Sequence, residues 1–222
     1  IELERGNPDT AIRLETRFLV KTEFSTYGVA YRWNEAGTEA TLVGEDGVSF
    51  DLSITDGGEQ KTQTWSIPSR ADCLACHTIS GGFALSFNTY QLNHSVNVGG
   101  EEVNYLEYLS KHQFFEEEVE DARTMPRFAK LDDPNASIDF KARSYLAANC
   151  VNCHQAGGTE TDPFDIRPKR ILGRTRLIDG TSSDPEKDLV TRGDADNSVL
   201  LLRMLAEVGE TRMPPLGSSE ID

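Results

Sequence analysis

The sequence predicts an α+β chain: a β-rich N-terminal module over residues 1–68, then two small, mainly helical domains over 69–135 and 136–222. Three observations lead there. Apolar residues alternate with polar ones before Pro68, short helical patterns set in long loops replace that alternation afterwards, and the five-residue pattern Cys-x-x-Cys-His occurs once in each helical half. Alternation with a period of two marks a strand with one buried face, whereas a period near 3.6 marks a helix. At 222 residues the chain has room for one large domain or a few small ones, since domains usually run about 100–200 residues.

In the first module, Ile12, Leu14, Thr16, Phe18 and Val20 alternate with Arg13, Glu15, Arg17 and Lys21, interrupted only by Leu19. Val29, Tyr31 and Trp33 repeat the period, as do Val48, Phe50, Leu52 and Ile54. Asn34–Gly37, Gly44–Gly47 and Asp56–Gly58 separate these runs as turns. A small antiparallel sheet or sandwich-like module follows from this pattern. Pro68 closes the strand that ends at Trp65 and Ile67, and Ser69 is placed to cap a helix. Helical patterns cover Val103–Phe115 and Ser137–Asn149, where Ile138, Ala142, Tyr145 and Leu146 are expected on one face behind a serine cap. Glu116–Asp121 reads as a solvated acidic run and Asp132–Asn135 as the linker. Residues 155–192 are rich in Gly, Pro, Asp and Arg and show little periodicity, and Val199–Ala206 is a last short helix capped by Asn197 or Ser198.

Thirty-seven acidic residues against twenty-two basic ones give a formal charge of −15, which argues against binding nucleic acid or an anionic membrane surface. Such a surface suits basic partners, or simply keeps a secreted protein soluble. No run reaches the roughly 18–20 apolar residues needed to span a bilayer. The chain starts at Ile1 and is therefore expected to be a mature or trimmed product of an exported protein.

The chemistry lies in the repeated pattern, Cys73-Leu-Ala-Cys76-His77 and Cys150-Val-Asn-Cys153-His154. Two thiols three positions apart lie on one helical turn and can add to the two vinyl groups of a haem. The histidine that follows then lies under the iron as its proximal ligand. Two competing readings are a zinc site built from all four thiolates and a thiol redox pair. Neither accounts for a histidine after each pair. The expectation is therefore two covalently attached c-type haems, bound through Cys73, Cys76, Cys150 and Cys153, with His77 and His154 on the irons. A haem in the middle of each small domain would also offset the lean hydrophobic fraction of 37%.

An electron-carrying haem iron takes a sixth ligand, commonly a thioether or a second imidazole. Arg212-Met213-Pro214-Pro215 follows the last helix, which makes Met213 the expected partner of His154. Met204, inside the apolar run Val199–Leu205, is expected to pack in the core. For the first haem, Met125 in Thr124-Met125-Pro126 leads, with His94 and His112 as alternatives. Phe83, Leu85 and Phe87 are expected to pack against the first macrocycle. Arg167, Arg170, Arg174 and Arg176 either bind propionates or form a solvated loop that balances the acidic surface.

Several stretches taken together resemble a known family. They are Leu14-Glu-Thr-Arg-Phe-Leu-Val20, Tyr31-Arg-Trp-Asn-Glu-Ala-Gly-Thr38, Ile67-Pro-Ser-Arg-Ala-Asp-Cys-Leu-Ala-Cys-His77, Tyr90-Gln-Leu-Asn93, Ala142-Arg-Ser-Tyr-Leu-Ala-Ala-Asn-Cys-Val-Asn-Cys-His154 and Arg212-Met-Pro-Pro-Leu-Gly217. In this order they are similar to a family of bacterial dihaem c-type cytochromes, some of them joined to or encoded beside quinoprotein-like sugar dehydrogenase propellers. The resemblance implies two cytochrome-c-like haem domains and electron transfer in the periplasm or outside the cell, and it assigns no substrate. Related chains continue past the Met-Pro-Pro loop into a closing helix. The stop at Asp222 therefore leads us to expect a trimmed chain or a neighbouring subunit that covers the gap.

The expected function is electron carriage without catalysis, with other redox proteins or copies of this chain, stacked as an oligomer or filament, as partners. Two other roles fit the same motifs: a dihaem peroxidase with one open iron, and the electron-accepting subunit of a quinoprotein dehydrogenase.

Overall fold

The computed structural model describes residues 2–3, 11–56, 59–85, 87–158, 164–182, 184, 186–206 and 212–215. Antiparallel β-sheets come first and a region with several short helices follows, so the α+β reading holds at that level.

The N-terminal strands form separate small sheets rather than one sandwich. β1 (Glu2–Leu3) pairs with β2 (Ile12–Arg13). β3 (Glu15–Lys21), β4 (Thr26–Trp33) and β5 (Ala40–Leu42) make a three-stranded sheet in chain order, with Phe18 opposite Val29 and Tyr31 opposite Leu42. β6 (Val48–Asp56) and β7 (Glu59–Ile67) form a hairpin with Phe50 opposite Trp65. The turns expected at Asn34–Gly37 and Gly44–Gly47 are present, and Asn34 Oδ1 accepts from the Thr38 amide. Gly57 and Gly58, in the third expected turn, lie outside the described residues.

Alternation located these strands but misjudged which side chains they bury. Leu14 and Ile67 are buried as expected, but so is Ala30, on the opposite parity to the expected Val29, Tyr31 and Trp33, while Phe18 is 53% exposed and Glu15 fully buried. Burying a carboxylate is costly unless it is paired. Glu15 accepts from Arg17 Nε at 2.8 Å and Nη2 at 2.5 Å, and from the Trp65 indole at 3.2 Å. The Trp65 bond ties the three-stranded sheet to the hairpin, so a residue that reads as an outward polar position is the joint between two sheets.

Helix α1 (Arg70–Cys76) starts at Ser69 with a complete capping box. Ser69 Oγ accepts from the Asp72 amide at 3.1 Å, and Asp72 Oδ2 accepts from the Ser69 amide at 2.9 Å. The helix packs on β4, where a Cβ built on Gly28 would stand 2.6 Å from Cys73 Sγ. Only a glycine lets the strand approach that closely. Helix α2 (Thr89–Leu92) follows, capped by Asn88.

The expected helix over Val103–Phe115 is partly wrong. Val103 and Asn104 belong to a hairpin of β8 (Ser95–Val98) and β9 (Glu101–Asn104), and only Tyr105–Lys111 is helical, as α3. Gly99 and Gly100, both at positive φ, form the turn, and Asn104 caps the helix through the amides of Leu106 and Glu107. Three consecutive local signals were present: a Gly-Gly pair, alternation on either side of it, and an Asn cap.

Helix α4 (Ile138–Asn149) has its expected Ser137 cap. Its buried residues are Ser144, Leu146 and Ala147, while Ile138 is 85% exposed. The first turn overhangs the core, so the expected face holds only at its C-terminal end. Helix α5 (Val199–Met204) begins after Ser198, whose hydroxyl does not cap it but donates to the Asp194 carbonyl and accepts from the Thr191 amide. The second half has a buried cluster of Leu146, Phe164, Ile166, Leu177 and Leu189, with Tyr145, Cys150, Val151, Val190 and Leu200 packed against it. Among the described residues, no helix is long and apolar enough to cross a membrane.

Candidate functional site

Both Cys-x-x-Cys-His segments lie at helix C-termini. Cys73 and Cys76 stand on the last turns of α1, and His77 is its C-terminal cap. Its Nδ1 lies 2.5 Å from the carbonyl oxygen of Phe83. A carbonyl can only accept, so Nδ1 carries the proton and Nε2 keeps its lone pair. This bond orients a ligating imidazole. Phe83 is held in the left-handed region at φ 62°, a conformation that costs a bulky residue energy. Two backbone hydrogen bonds, from the Phe83 amide to Thr78 and from the Ala84 amide to Gly82, fix the turn that aims this carbonyl.

The second segment follows α4. Cys150 is that helix's C-terminal cap, and the His154 amide donates to the Cys150 carbonyl at 2.9 Å. The His154 ring stacks on Phe164, with centroids 4.1 Å apart and planes 17° from parallel. Beside it opens a cavity of about 410 Å³. Cys150, Cys153 and His154 line it together with Tyr145, Phe164, Leu189, the Val199–Leu201 stretch and Met213. The volume is within the usual range for a small-molecule or cofactor site, roughly 300–1,000 Å³, and the mixture of an apolar wall with a few polar groups is what such sites share. Met213 and Met204 both line the cavity, so Met204 is not confined to core packing. The Met213 amide donates to the Arg203 carbonyl at 2.9 Å, which ties the Met-Pro-Pro segment to α5.

The two segments meet. Cys76 Sγ and Cys153 Sγ lie 3.7 Å apart although 77 positions separate them in sequence. Cys153 Sγ also lies 3.8 Å from the Ala75 carbonyl, and the Ser80 hydroxyl donates to the Gly157 carbonyl. Cys76 and Leu85, from the first half, thus form part of the wall of the second half's cavity. No family model, curated protein or solved structure matches this chain.

Among the described residues, which include every cysteine and histidine, no three His, Cys, Asp or Glu side chains come together as a metal-binding group. Burial pushes the Cys150 thiol up to about 11, and burial also raises that of Cys73. No disulfide joins any of the four.

Of the candidate sixth ligands for the first segment, none lines the cavity. Met125 is half-buried just after a 3-10 turn, Ala122–Thr124. Buried Asn93 holds this stretch, its amide donating to the carbonyls of Ala122, Met125 and Pro126. His94 therefore sits next to the residue that positions Met125. Its Nδ1 donates to the Gln91 carbonyl at 2.6 Å, and that of His112 to the Tyr108 carbonyl at 2.7 Å, so each keeps Nε2 as an acceptor. His94 is half-buried and His112 exposed.

The arginine cluster divides. Arg167 and Arg170 both donate to buried Asp165, at 2.7 and 2.8 Å. Hydrogen bonds from Arg167, and then Arg170, hold the Asp165 carboxyl well below the usual carboxylate range. Arg174 and Arg176 are exposed. Phe87 is 77% exposed, and Leu85 rather than Phe87 reaches the cavity. Sequence reading missed Phe164, Leu189 and the Phe83 carbonyl. An aromatic followed by alternating apolar residues at Phe164–Ile166 was the only signal for the first, and a backbone carbonyl leaves none.

Proposed function

We propose that this chain is a dihaem c-type cytochrome that carries electrons in the periplasm or outside the cell. The observation that carries this reading is the convergence of two Cys-x-x-Cys-His segments on one region, with Cys150, Cys153, His154 and Met213 around a single cavity. Around Cys150, Cys153 and His154 the cavity and its lining residues fit the group. Cys73 and Cys76 would attach one haem and Cys150 and Cys153 the other, each by two thioether bonds, with His77 and His154 as proximal ligands. The lone pair kept on His77 Nε2 and the apolar wall beside His154 suit that role. Bound haem iron supplies one-electron chemistry by passing between the ferrous and ferric states.

The chain's own residues would do the rest. Phe83 fixes the His77 tautomer, and the hydrogen bond to a proximal imidazole raises its basicity as a ligand. Phe164, Leu189 and the α5 leucines exclude water, which together with axial ligation and surrounding charge sets a haem's potential. Met213 would be the sixth ligand at the second site, and Met125, His94 or His112 at the first. The architecture is a β module followed by two cytochrome-c-like units. The acidic surface suits basic redox partners, and copies of the chain could pass electrons from one to the next.

The test is a pyridine haemochrome assay and a mass spectrum on the full chain produced with a c-type maturation system, followed by oxidised and reduced optical spectra. Two covalent haems per chain, both low-spin, support the carrier. A high-spin haem that turns over peroxide would replace it with a peroxidase, and a chain that takes up zinc but no covalent haem would overturn it.

A further inference from the structure

The four thiols have unlike surroundings. Cys73 is pinned, its Sγ 3.4 Å from the Ser69 carbonyl and pressed against Gly28 of β4. Cys150 is half-buried and packs against the cluster of Leu146, Phe164, Ile166, Leu177 and Leu189. Cys76 and Cys153 instead face each other at 3.7 Å, and with Cys150 they line the open cavity, where a small disulfide can reach them. The loops around them are docked: Ser80 donates to the Gly157 carbonyl, and Gly157, at φ 80°, would bring a Cβ within 2.7 Å of Ser80 Oγ. A disulfide holds its sulfurs at about 2.0 Å, so forming one here closes a gap of under about 2 Å.

We propose that, before haem is attached, Cys76 and Cys153 are the site of a disulfide that crosses between the two motifs, in preference to a bridge within either one. The step is an exchange with a disulfide oxidant such as a periplasmic thiol–disulfide oxidoreductase or oxidised glutathione. One thiolate attacks the oxidant and releases one reduced thiol, forming a mixed disulfide. The second thiolate then displaces the other half, so two protein thiols become one S–S bond and one disulfide becomes two thiols. Under the function proposed above, this bridge blocks both sites at once, because a sulfur bonded to sulfur cannot add to a vinyl group. Reduction of a single bond would then open both motifs for attachment.

The experiment uses the full chain made without haem attachment, reduced and then treated with oxidised glutathione, digested without reductant and mapped by mass spectrometry. The expected product is one cross-linked peptide pair joining Cys76 to Cys153. It should persist in Cys73→Ser and Cys150→Ser and vanish in Cys76→Ser and Cys153→Ser. Bridges within the motifs, Cys73 to Cys76 and Cys150 to Cys153, would overturn the proposal, as would glutathione adducts alone or a random mixture of pairs. The haemochrome assay on separately matured chain reads the electron-carrier function independently, so failure of one is distinguishable from failure of the other.

Discussion

Asn93 in the first helical half and Asp165 in the second are both buried polar side chains, at 4% and 6% exposure, and each organises a loop. Asn93 does so as a neutral group: its amide donates to three carbonyls, and its oxygen accepts from Asn104 Nδ2 at 2.8 Å. Asp165 does so as an anion that gathers two guanidinium groups, while its own amide donates to the Thr175 carbonyl at 2.9 Å. The same contrast runs through the motifs. His77 is steered by a backbone carbonyl, and His154 by an aromatic ring beside a formed cavity with a thioether on its wall. Asn93 thus holds its loop through neutral hydrogen bonds, which are insensitive to pH, and Asp165 holds its loop through charge.

The largest expected effect is at the second site. In the haem-loaded protein, Met213→Ala should turn one of two haems high-spin or lower its potential by on the order of 0.1 V, a fraction of the roughly 0.8 V that axial ligation spans. The other haem should keep its spectrum. Met204→Ala is the control on the same wall, and a change there with none at Met213 would reassign the ligand. Replacing Met125, His94 and His112 one at a time should perturb the first haem in one case only, which would complete the comparison between the two sites.

Asn93→Ala should destabilise the chain by about 2–3 kcal/mol, because it leaves buried acceptors and the Asn104 amide without their partner. The loss should be the same at pH 4 and pH 7, since no charge is involved, and denaturant midpoints at the two pH values measure it. If Met125 is the first haem's ligand, the same variant should also broaden that haem's titration, because the Met125 carbonyl is one of the three that Asn93 holds.

Much of this was legible in the sequence, and the limits are physical. Local features were read well: period-two strands, the Ser69 and Ser137 caps, and the two motifs at helix ends all arise from neighbours a few residues apart. The hairpin at Ser95–Asn104 is not among the expected elements, and only its last two residues, Val103 and Asn104, fall within the expected helix. Tertiary features were not readable. Nothing in Cys76 or Cys153 announces their approach across 77 positions. Glu15 looks like an outward residue until Trp65 arrives from another sheet, and Arg167 and Arg170 look free for propionates until Asp165 is seen to be buried between them.

Asp165→Asn should cost about 2 kcal/mol at neutral pH, the scale of hydrogen bonds to a charged group. The two arginines are 44% and 37% exposed, and solvent screening keeps the value below that of a fully buried pair. The sign with pH is fixed by the direction of the shift. The folded carboxyl titrates below its unfolded value, which is about 3.9, so its contribution is complete above that value and is lost as pH falls through the folded pKa. The difference between the native chain and the variant should therefore be full at pH 6 and shrink below about pH 4. A difference that stayed constant across that window would remove the electrostatic half of the comparison.

The smallest effect separates the two motif helices. α1 has seven residues and a reciprocal capping box, whereas α4 has twelve residues and a single bond from the Phe140 amide to Ser137. Ser69→Ala removes the side-chain acceptor of the Asp72 amide and leaves Asp72 with only the Ser69 backbone amide to bind. The cost should be about 1 kcal/mol, typical of a lost serine cap. Ser137→Ala loses one bond from a longer helix whose first turn is exposed, and fraying there should limit the cost to about half as much. Urea midpoints of the two variants decide it. Equal losses would mean that α4 depends on its first turn as much as α1 does, and that the overhanging Ile138 end is not as loosely held as its exposure suggests.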